Sequence, residues 1–206
     1  MDSKIIDIKT IEVAGIGPAI HAMRNPMNSW DRSDSRRGKV GEKDKELSIK
    51  LTKNGPVHSK HLRMCMVWAE IIAPMYWWKE FDTYRMGVEK LSCSTMHKLM
   101  SRKLDISDFA VSLPENVSAY NDMISELNDL IEKYNASDDP EFKKKIFITV
   151  VEMLPQSYRQ RRTVMMSYEA LRNMYIWRKD HKLQAWHIFV DWIKTLPESW
   201  MITLED

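Results

Sequence analysis

The segment Arg172-Asn173-Met174-Tyr175-Ile176-Trp177-Arg178-Lys179-Asp180-His181 brings an amide, a guanidinium and an imidazole into one aromatic stretch. Residues four apart stack on one side of a helix, so Asn173 and Trp177 share a face if the segment is helical. Arg178 and His181, three apart, share the next face round. Such a helix can wall a planar, anionic, heteroaromatic ligand: the rings stack, the guanidinium meets charge, and the amide and imidazole meet ring edges. The alternative is an amphipathic helix whose polar residues are solvated.

Two further stretches combine polar groups with reactive types. His58-Ser59-Lys60-His61 offers two histidines three apart, but no His, Asp, Glu or Cys pattern completes a metal set, so no metal is expected and both read as exposed loop residues. Tyr76 to Arg85 carries Lys79 and Arg85 and runs on to Ser92-Cys93-Ser94-Thr95. A hydroxyl-rich turn after a cationic helix end can hold phosphate. Cys93 as a nucleophile would need a nearby base, and a small buried thiol is the plainer reading. Arg159, Arg161 and Arg162 read as surface charges or phosphate contacts.

The elements that must position these groups follow from periodicity. Ile5 to Val13 is β-branched and partly alternating, which predicts a strand. Pro18 to Met23 reads as a short helix. Residues 25–45 are polar and charged, include Arg36-Arg37-Gly38, and read as a long mobile loop, either a lid or a solvated connection. Glu46 to Lys53 fits helix or strand, and Asn54-Gly55-Pro56 breaks the chain. Leu62 to Ile72 has a period of two and predicts a strand ended by Ala73-Pro74. Pro74 can open a helix over Met75 to Arg85. Val117 to Tyr134 carries Tyr120, Ile124, Leu127, Ile131 and Tyr134 on one helical face. Asp139-Pro140-Glu141 reads as the N-cap and first positions of a helix that stops before Pro155. A last helix opens near Ser167 and continues to Trp192.

The bulk numbers narrow the classes. With 206 residues, 31 basic and 29 acidic, the net charge is +2, weak for a nucleic-acid binder. Two cysteines do not make a disulfide framework and point to a reducing, cytoplasmic setting. No signal peptide is visible, and no apolar run reaches the roughly 18 residues of a membrane span. Neither glycine-rich nucleotide loop occurs. Fifteen Met and eight Trp suggest wide apolar walls or subunit interfaces.

The order of these features resembles the flavin-dependent thymidylate synthases. That family has a Gly-His segment, then Ala-Pro, then an aromatic helix ending in Arg-His-Arg, then a Ser/Asn/Glu/Ser/Arg-Tyr signature. Here Gly55 to His58 precedes Ala73-Pro74, Tyr76-Trp77-Trp78-Lys79-Glu80-Phe81 and Thr83-Tyr84-Arg85. The family's later block carries Leu-Pro, Thr-Val and a helix of the form Asn-x-Arg-Ser-Leu-x-Asn-Phe-x-x-x-Arg ending in Asp-Ser-His-Ala-Gln. Leu154-Pro155, Thr163-Val164, Leu171, Asn173, Arg178, Asp180, His181 and Gln184 keep that order over roughly residues 50–193.

The resemblance implies an α+β fold, a single domain over 1–206 with a small, mostly antiparallel sheet packed against several long helices. It implies FAD as cofactor, with methylenetetrahydrofolate and NADPH as co-substrates, and a deoxyuridine monophosphate as the pyrimidine substrate. Arg178 would bind the nucleotide and stabilise charge developing on it, with Lys79, Ser92 and Ser94 on the same substrate. Asn173, His181, Arg85 and His58 would hold the flavin. It also implies a homotetramer. The departures are specific: Thr83 and Tyr84 fill the first two places of the triplet, the signature is reduced to Ser92-Cys93-Ser94-Thr95-Met96-His97, and Ser167 and Glu169 stand where the helix has Asn and Arg. Each lost guanidinium removes a charge-assisted hydrogen bond of ~1.5–3 kcal/mol. A member that keeps the fold, lacks the chemistry and binds another nucleotide or a protein is therefore the alternative. A nucleic-acid module using Arg159, Arg161 and Arg162 is a third, and the near-neutral charge weighs against it.

Overall fold

The computed structural model describes residues 5–36, 38–94 and 98–205. Four strands, β1 (Asp7–Ala14), β2 (Met66–Pro74), β3 (Val88–Ser92) and β4 (Arg159–Ser167), form one antiparallel sheet in the order β1-β2-β4-β3. The α+β architecture expected from the sequence is the one observed. The chain divides into two compact units whose boundaries fall inside the four strands and after Phe81.

The first unit holds residues 1–7, 71–81 and 91–162. Its long hairpin is α4 (Val117–Ala136) against α5 (Pro140–Met153). Ile124, Leu127 and Ile131 recur at helical spacing and are buried with Ile146 and Val150 of the partner helix. Asp139 caps α5, accepting from Glu141 N at 2.9 Å and Phe142 N at 3.4 Å, with Pro140 at the first helical position, as its sequence predicts. Helix α3 (Met75–Phe81) buries Trp77, Trp78 and Phe81 in one aromatic cluster. It is shorter than the Met75–Arg85 helix expected. Phe81 is its last residue, and the chain then turns towards β3, so Arg85 is four residues past the helix and cannot complement its dipole.

The second unit holds residues 8–70, 82–90 and 163–206. It contains α1 (Ile16–Ala22), α2 (Glu42–Lys53), α6 (Tyr168–Arg178), α7 (Gln184–Lys194) and α8 (Trp200–Thr203). Ser167 ends β4 and caps α6, its hydroxyl accepting from Ala170 N at 3.1 Å. The continuous helix expected from Ser167 to Trp192 is two helices. No Gly or Pro marks the break. The chain turns at 179–183, where Leu183 N donates to the ring Nδ1 of His181 at 3.2 Å. His181 is therefore off the helix, and its expected alignment with Arg178 on a helical face does not occur.

The segment 25–45, expected to be a mobile polar loop, holds two short 3-10 turns and the first turn of α2. Two of its carboxylates tie it down, while most of its other polar residues are exposed. Asp44 is fully buried and accepts from Arg24 Nε at 2.5 Å, Ser33 Oγ at 2.6 Å and Ser35 Oγ at 2.6 Å. Asp34 takes the amides of Lys43 at 2.9 Å and Asp44 at 3.1 Å, which no turn of α2 can satisfy. Arg37 lies outside the described residues.

Candidate functional site

In the second unit the turn 82–87 runs from the end of α3 to β3 and meets α6 at both of its ends. At the N-terminal end, Ser167 N donates to Gly87 O at 2.8 Å. Gly87 has φ 69°, and a Cβ there would collide with Ser167 Oγ, so only glycine fits the approach. At the C-terminal end, Arg178 Nε donates to the Tyr84 hydroxyl at 2.9 Å. Lys90 and Asp82, 2.6 Å apart, join the start of the turn to β3.

Arg178 is held on two sides. Its guanidinium carbon lies 4.6 Å from the ring centroid of Trp186 and 5.5 Å from that of Tyr84. Both distances are within cation–π range. Tyr84 and Trp186 meet edge to face at 6.2 Å, and His181 meets Trp186 edge to face at 6.2 Å. Trp186 is buried, so the clamp has a rigid wall. Because His181 Nδ1 accepts from Leu183, the neutral ring carries its proton on Nε2.

A cleft of about 640 Å³ lies along α6 on the Gly87 side of the same turn. Met66, Met86, Leu62 and Ile176 give it apolar walls, and Asn173, Arg63, Glu169 and Arg172 give it polar groups. Arg63 Nε donates to Glu169 Oε2 at 2.7 Å, and Arg172 Nη1 donates to Ile202 O at 2.7 Å. The Glu169 carboxylate holds Arg63 above its usual pKa, first through the hydrogen bond and then through its charge. Burial pulls Arg172 the other way. A cleft of this size with apolar walls has room for a flat heteroaromatic ring. The apolar side chains are the part of the lining that a flat ring such as a flavin's would lie against, and Asn173 is the uncharged amide beside them.

The structure sorts the expected site residues into groups. Arg178 and His181 come together, but through Trp186 rather than along one helix. Asn173 is exposed on the cleft. His58 and Arg85 are exposed and line neither the cleft nor the clamp. Lys79, Ser92 and Ser94 belong to the first unit, where Lys79 is exposed on α3 and Ser92 ends β3. Ser94 lines a separate cleft of about 460 Å³ with Lys98, Arg161 and Tyr158. The expected hydroxyl turn after a helix instead follows a strand, and Thr95, Met96 and His97 lie outside the described residues.

Other readings need correction. Cys93 is exposed, and the buried thiol is Cys65, which burial pushes up to about 12. His61 is not an exposed loop residue. It is buried, its Nε2 is 2.8 Å from Ser48 Oγ, and burial lowers its pKa to about 4. Arg159 and Arg162 are not surface charges. Arg159 pairs with Asp7, and Arg162 stacks 4.2 Å over Trp78 while its Nε donates to Gln160 Oε1 at 3.0 Å. Tyr84 and Trp186 were hidden in the sequence, since Tyr84 reads there only as a missing histidine. Among the described residues no group of three or more His, Cys, Asp or Glu is placed to hold a metal ion. None of their helices is long and apolar enough to cross a membrane.

No protein family matches the sequence, and no curated protein matches it. Solved structures share the fold. A flavin-dependent thymidylate synthase from Helicobacter pylori, solved with FAD and dUMP, matches with a TM-score of 0.74 at 18% identity, over 96% of this chain and 98% of that one. A second structure of the Helicobacter pylori enzyme with FAD and dUMP matches with a TM-score of 0.74 at 19% identity, over 98% of each chain. The chain has the fold of these enzymes.

Proposed function

We propose that this protein is a flavin-dependent thymidylate synthase-like enzyme of the cytoplasm, binding FAD and a deoxyuridine monophosphate and reductively methylating the pyrimidine. The observation that carries the reading is the Arg178 guanidinium held between Tyr84 and Trp186 at the end of α6, on the fold of enzymes solved with FAD and dUMP. Bound and reduced, FAD supplies the hydride, while methylenetetrahydrofolate supplies the carbon and NADPH the reducing electrons.

The residues of the chain bind, orient and stabilise charge. Arg178 donates N–H groups to a pyrimidine carbonyl and stabilises the negative charge that builds there, in a pose fixed before the ligand arrives. Asn173 would hold the edge of the flavin ring, and Met66, Met86, Leu62 and Ile176 would line its site and exclude water. His181, edge to face with Trp186, is a flavin contact by resemblance. Lys79, Ser92 and Ser94 remain substrate contacts by resemblance, as do Arg85 and His58 for the flavin, and a homotetramer completes the site.

The test is a titration of FAD followed by flavin absorbance, then calorimetry of dUMP on the loaded protein. Shifted flavin bands and dUMP binding that Arg178→Ala abolishes support the reading. A protein that ignores both ligands, or an Arg178→Ala variant with unchanged dUMP affinity, refutes it.

One observation favours the alternative, a nucleotide-binding or protein-interaction member without turnover. The two positions where the family has Asn and Arg are spent on structure here: Ser167 caps α6 and Glu169 pairs with Arg63. Dissociable FAD or dUMP binding without product would establish it.

A further inference from the structure

We infer that the cleft between α1 and the turn at residues 36–39 is a second ligand site, separate from the one along α6, and that it takes a small organic phosphate. The cleft holds about 480 Å³ and shares no lining residue with the cleft along α6. His21, Arg36 and Lys39 bring donors to it, and Val13, Ile16 and Ile20 bring apolar walls. Arg36 and Lys39 are paired through the backbone. Arg36 N donates to Lys39 O at 3.0 Å, and Lys39 N donates to Arg36 O at 3.0 Å. Residues directly opposite in an antiparallel pair project their side chains to the same side, with Cβ atoms about 5 Å apart. Two cations therefore stand side by side, an arrangement that costs stability unless an anion lies between them.

No carboxylate relieves this pair. Among the described residues neither Arg36 nor Lys39 has a side-chain hydrogen bond or an ion pair, and both are exposed. Asp34, two residues before Arg36, is spent on the amides of Lys43 and Asp44, and Asp44 on Arg24, Ser33 and Ser35. Glu198 also lines the cleft, and its Oε2 accepts from Trp200 Nε1. His21 stacks on Trp30 with ring centroids 6.1 Å apart, and Trp30 Nε1 donates to Asn25 Oδ1 at 2.9 Å, which steadies the imidazole. A Cβ at Gly17 or Gly38 would meet nothing within 4 Å, so a ligand can approach the backbone there. The Arg36 fork can take two phosphate oxygens, and Lys39 adds a point charge beside it. The apolar walls lie against the organic part, which separates an organic phosphate from the free ion.

The test is calorimetry of phenyl phosphate and of inorganic phosphate on the full chain, with amide chemical shifts recorded in the same titrations. Phenyl phosphate should bind more tightly than inorganic phosphate, weaken in high salt and move the amides of Gly17, Gly38 and Lys39. The double variant Arg36→Ala with Lys39→Ala should lose at least about tenfold in affinity, the scale of one hydrogen bond to a charged group. Lys39→Glu faces Arg36 with an acid, so it should bind no phosphate while its thermal midpoint is no lower than that of wild type. That second variant separates loss of the site from loss of the fold. The inference is overturned if wild type does not bind phenyl phosphate, or binds it no more tightly than inorganic phosphate. Unchanged affinity in both variants, or amide shifts confined to other residues, overturns it equally.

Discussion

Gly87 and Ser167 meet backbone to backbone, with the Ser167 N–H on the Gly87 carbonyl at 2.8 Å and no room for a Cβ between them. Through this contact the cap of α6 and the turn that carries Tyr84 become one unit. Gly87→Ala forces an L residue to φ 69° and pushes on the hydroxyl that caps the helix. Adding the strain at positive φ to a weakened cap gives a loss of about 2–3 kcal/mol. Urea unfolding measures it. Ser167→Ala, which removes the cap alone, should cost about 1 kcal/mol.

How much of this was legible in the sequence depends on what fixed each element. Asp139-Pro140 and Ser167 announced their helices because capping is a local effect of one side chain on the next amides. Strand β4 has no hydrophobic signature in its first half, because Arg159 to Thr163 is polar. Its guanidinium groups are absorbed by partners distant in sequence, Asp7 and Trp78. The break at 179–183 has no Gly or Pro, so the sequence carries no breaker that marks it. Asn173, Arg178 and His181 were readable as polar groups in an aromatic stretch, but the clamp needs Tyr84, 94 residues away from Arg178, and no local pattern carries that distance.

Asp44 gives a prediction on stability. Its burial favours the neutral acid, but hydrogen bonds from Ser33, Ser35 and Arg24 outweigh that and hold its pKa below the usual value. A depressed carboxyl contributes stability that is present above the unfolded pKa and is lost as pH falls through the folded one. Asp44→Asn leaves Arg24 buried without its counter-charge and should cost about 3 kcal/mol. The variant should also lose less stability than wild type on acidification below about pH 4, as read by urea unfolding across that range.

His61 acts at milder pH. Burial holds its pKa at about 4 in the folded state, below the ordinary value of 6.5. Between those values the unfolded chain binds the extra proton, so stability falls as pH drops from 6.5 towards 4. At pH 5 the loss is about 2 kcal/mol. His61→Gln, which cannot be protonated, should flatten this part of the profile; an equally steep profile in the variant would assign the acid loss elsewhere.

Asn173 separates binding from folding. It is exposed on its cleft, so Asn173→Ala should leave the thermal midpoint within about 2 °C, as for surface changes near ±0.5 kcal/mol. FAD affinity should fall about fivefold to tenfold through one lost hydrogen bond. Flavin absorbance titration of the variant beside wild type measures it.

The most direct measurement of the central claim uses dUMP tritiated at the ring carbon that is methylated, incubated with the protein, FAD, methylenetetrahydrofolate and NADPH. The account predicts tritium release to water in step with thymidylate formation in wild type, and neither in Arg178→Ala. No release and no thymidylate from flavin-loaded wild type would contradict it.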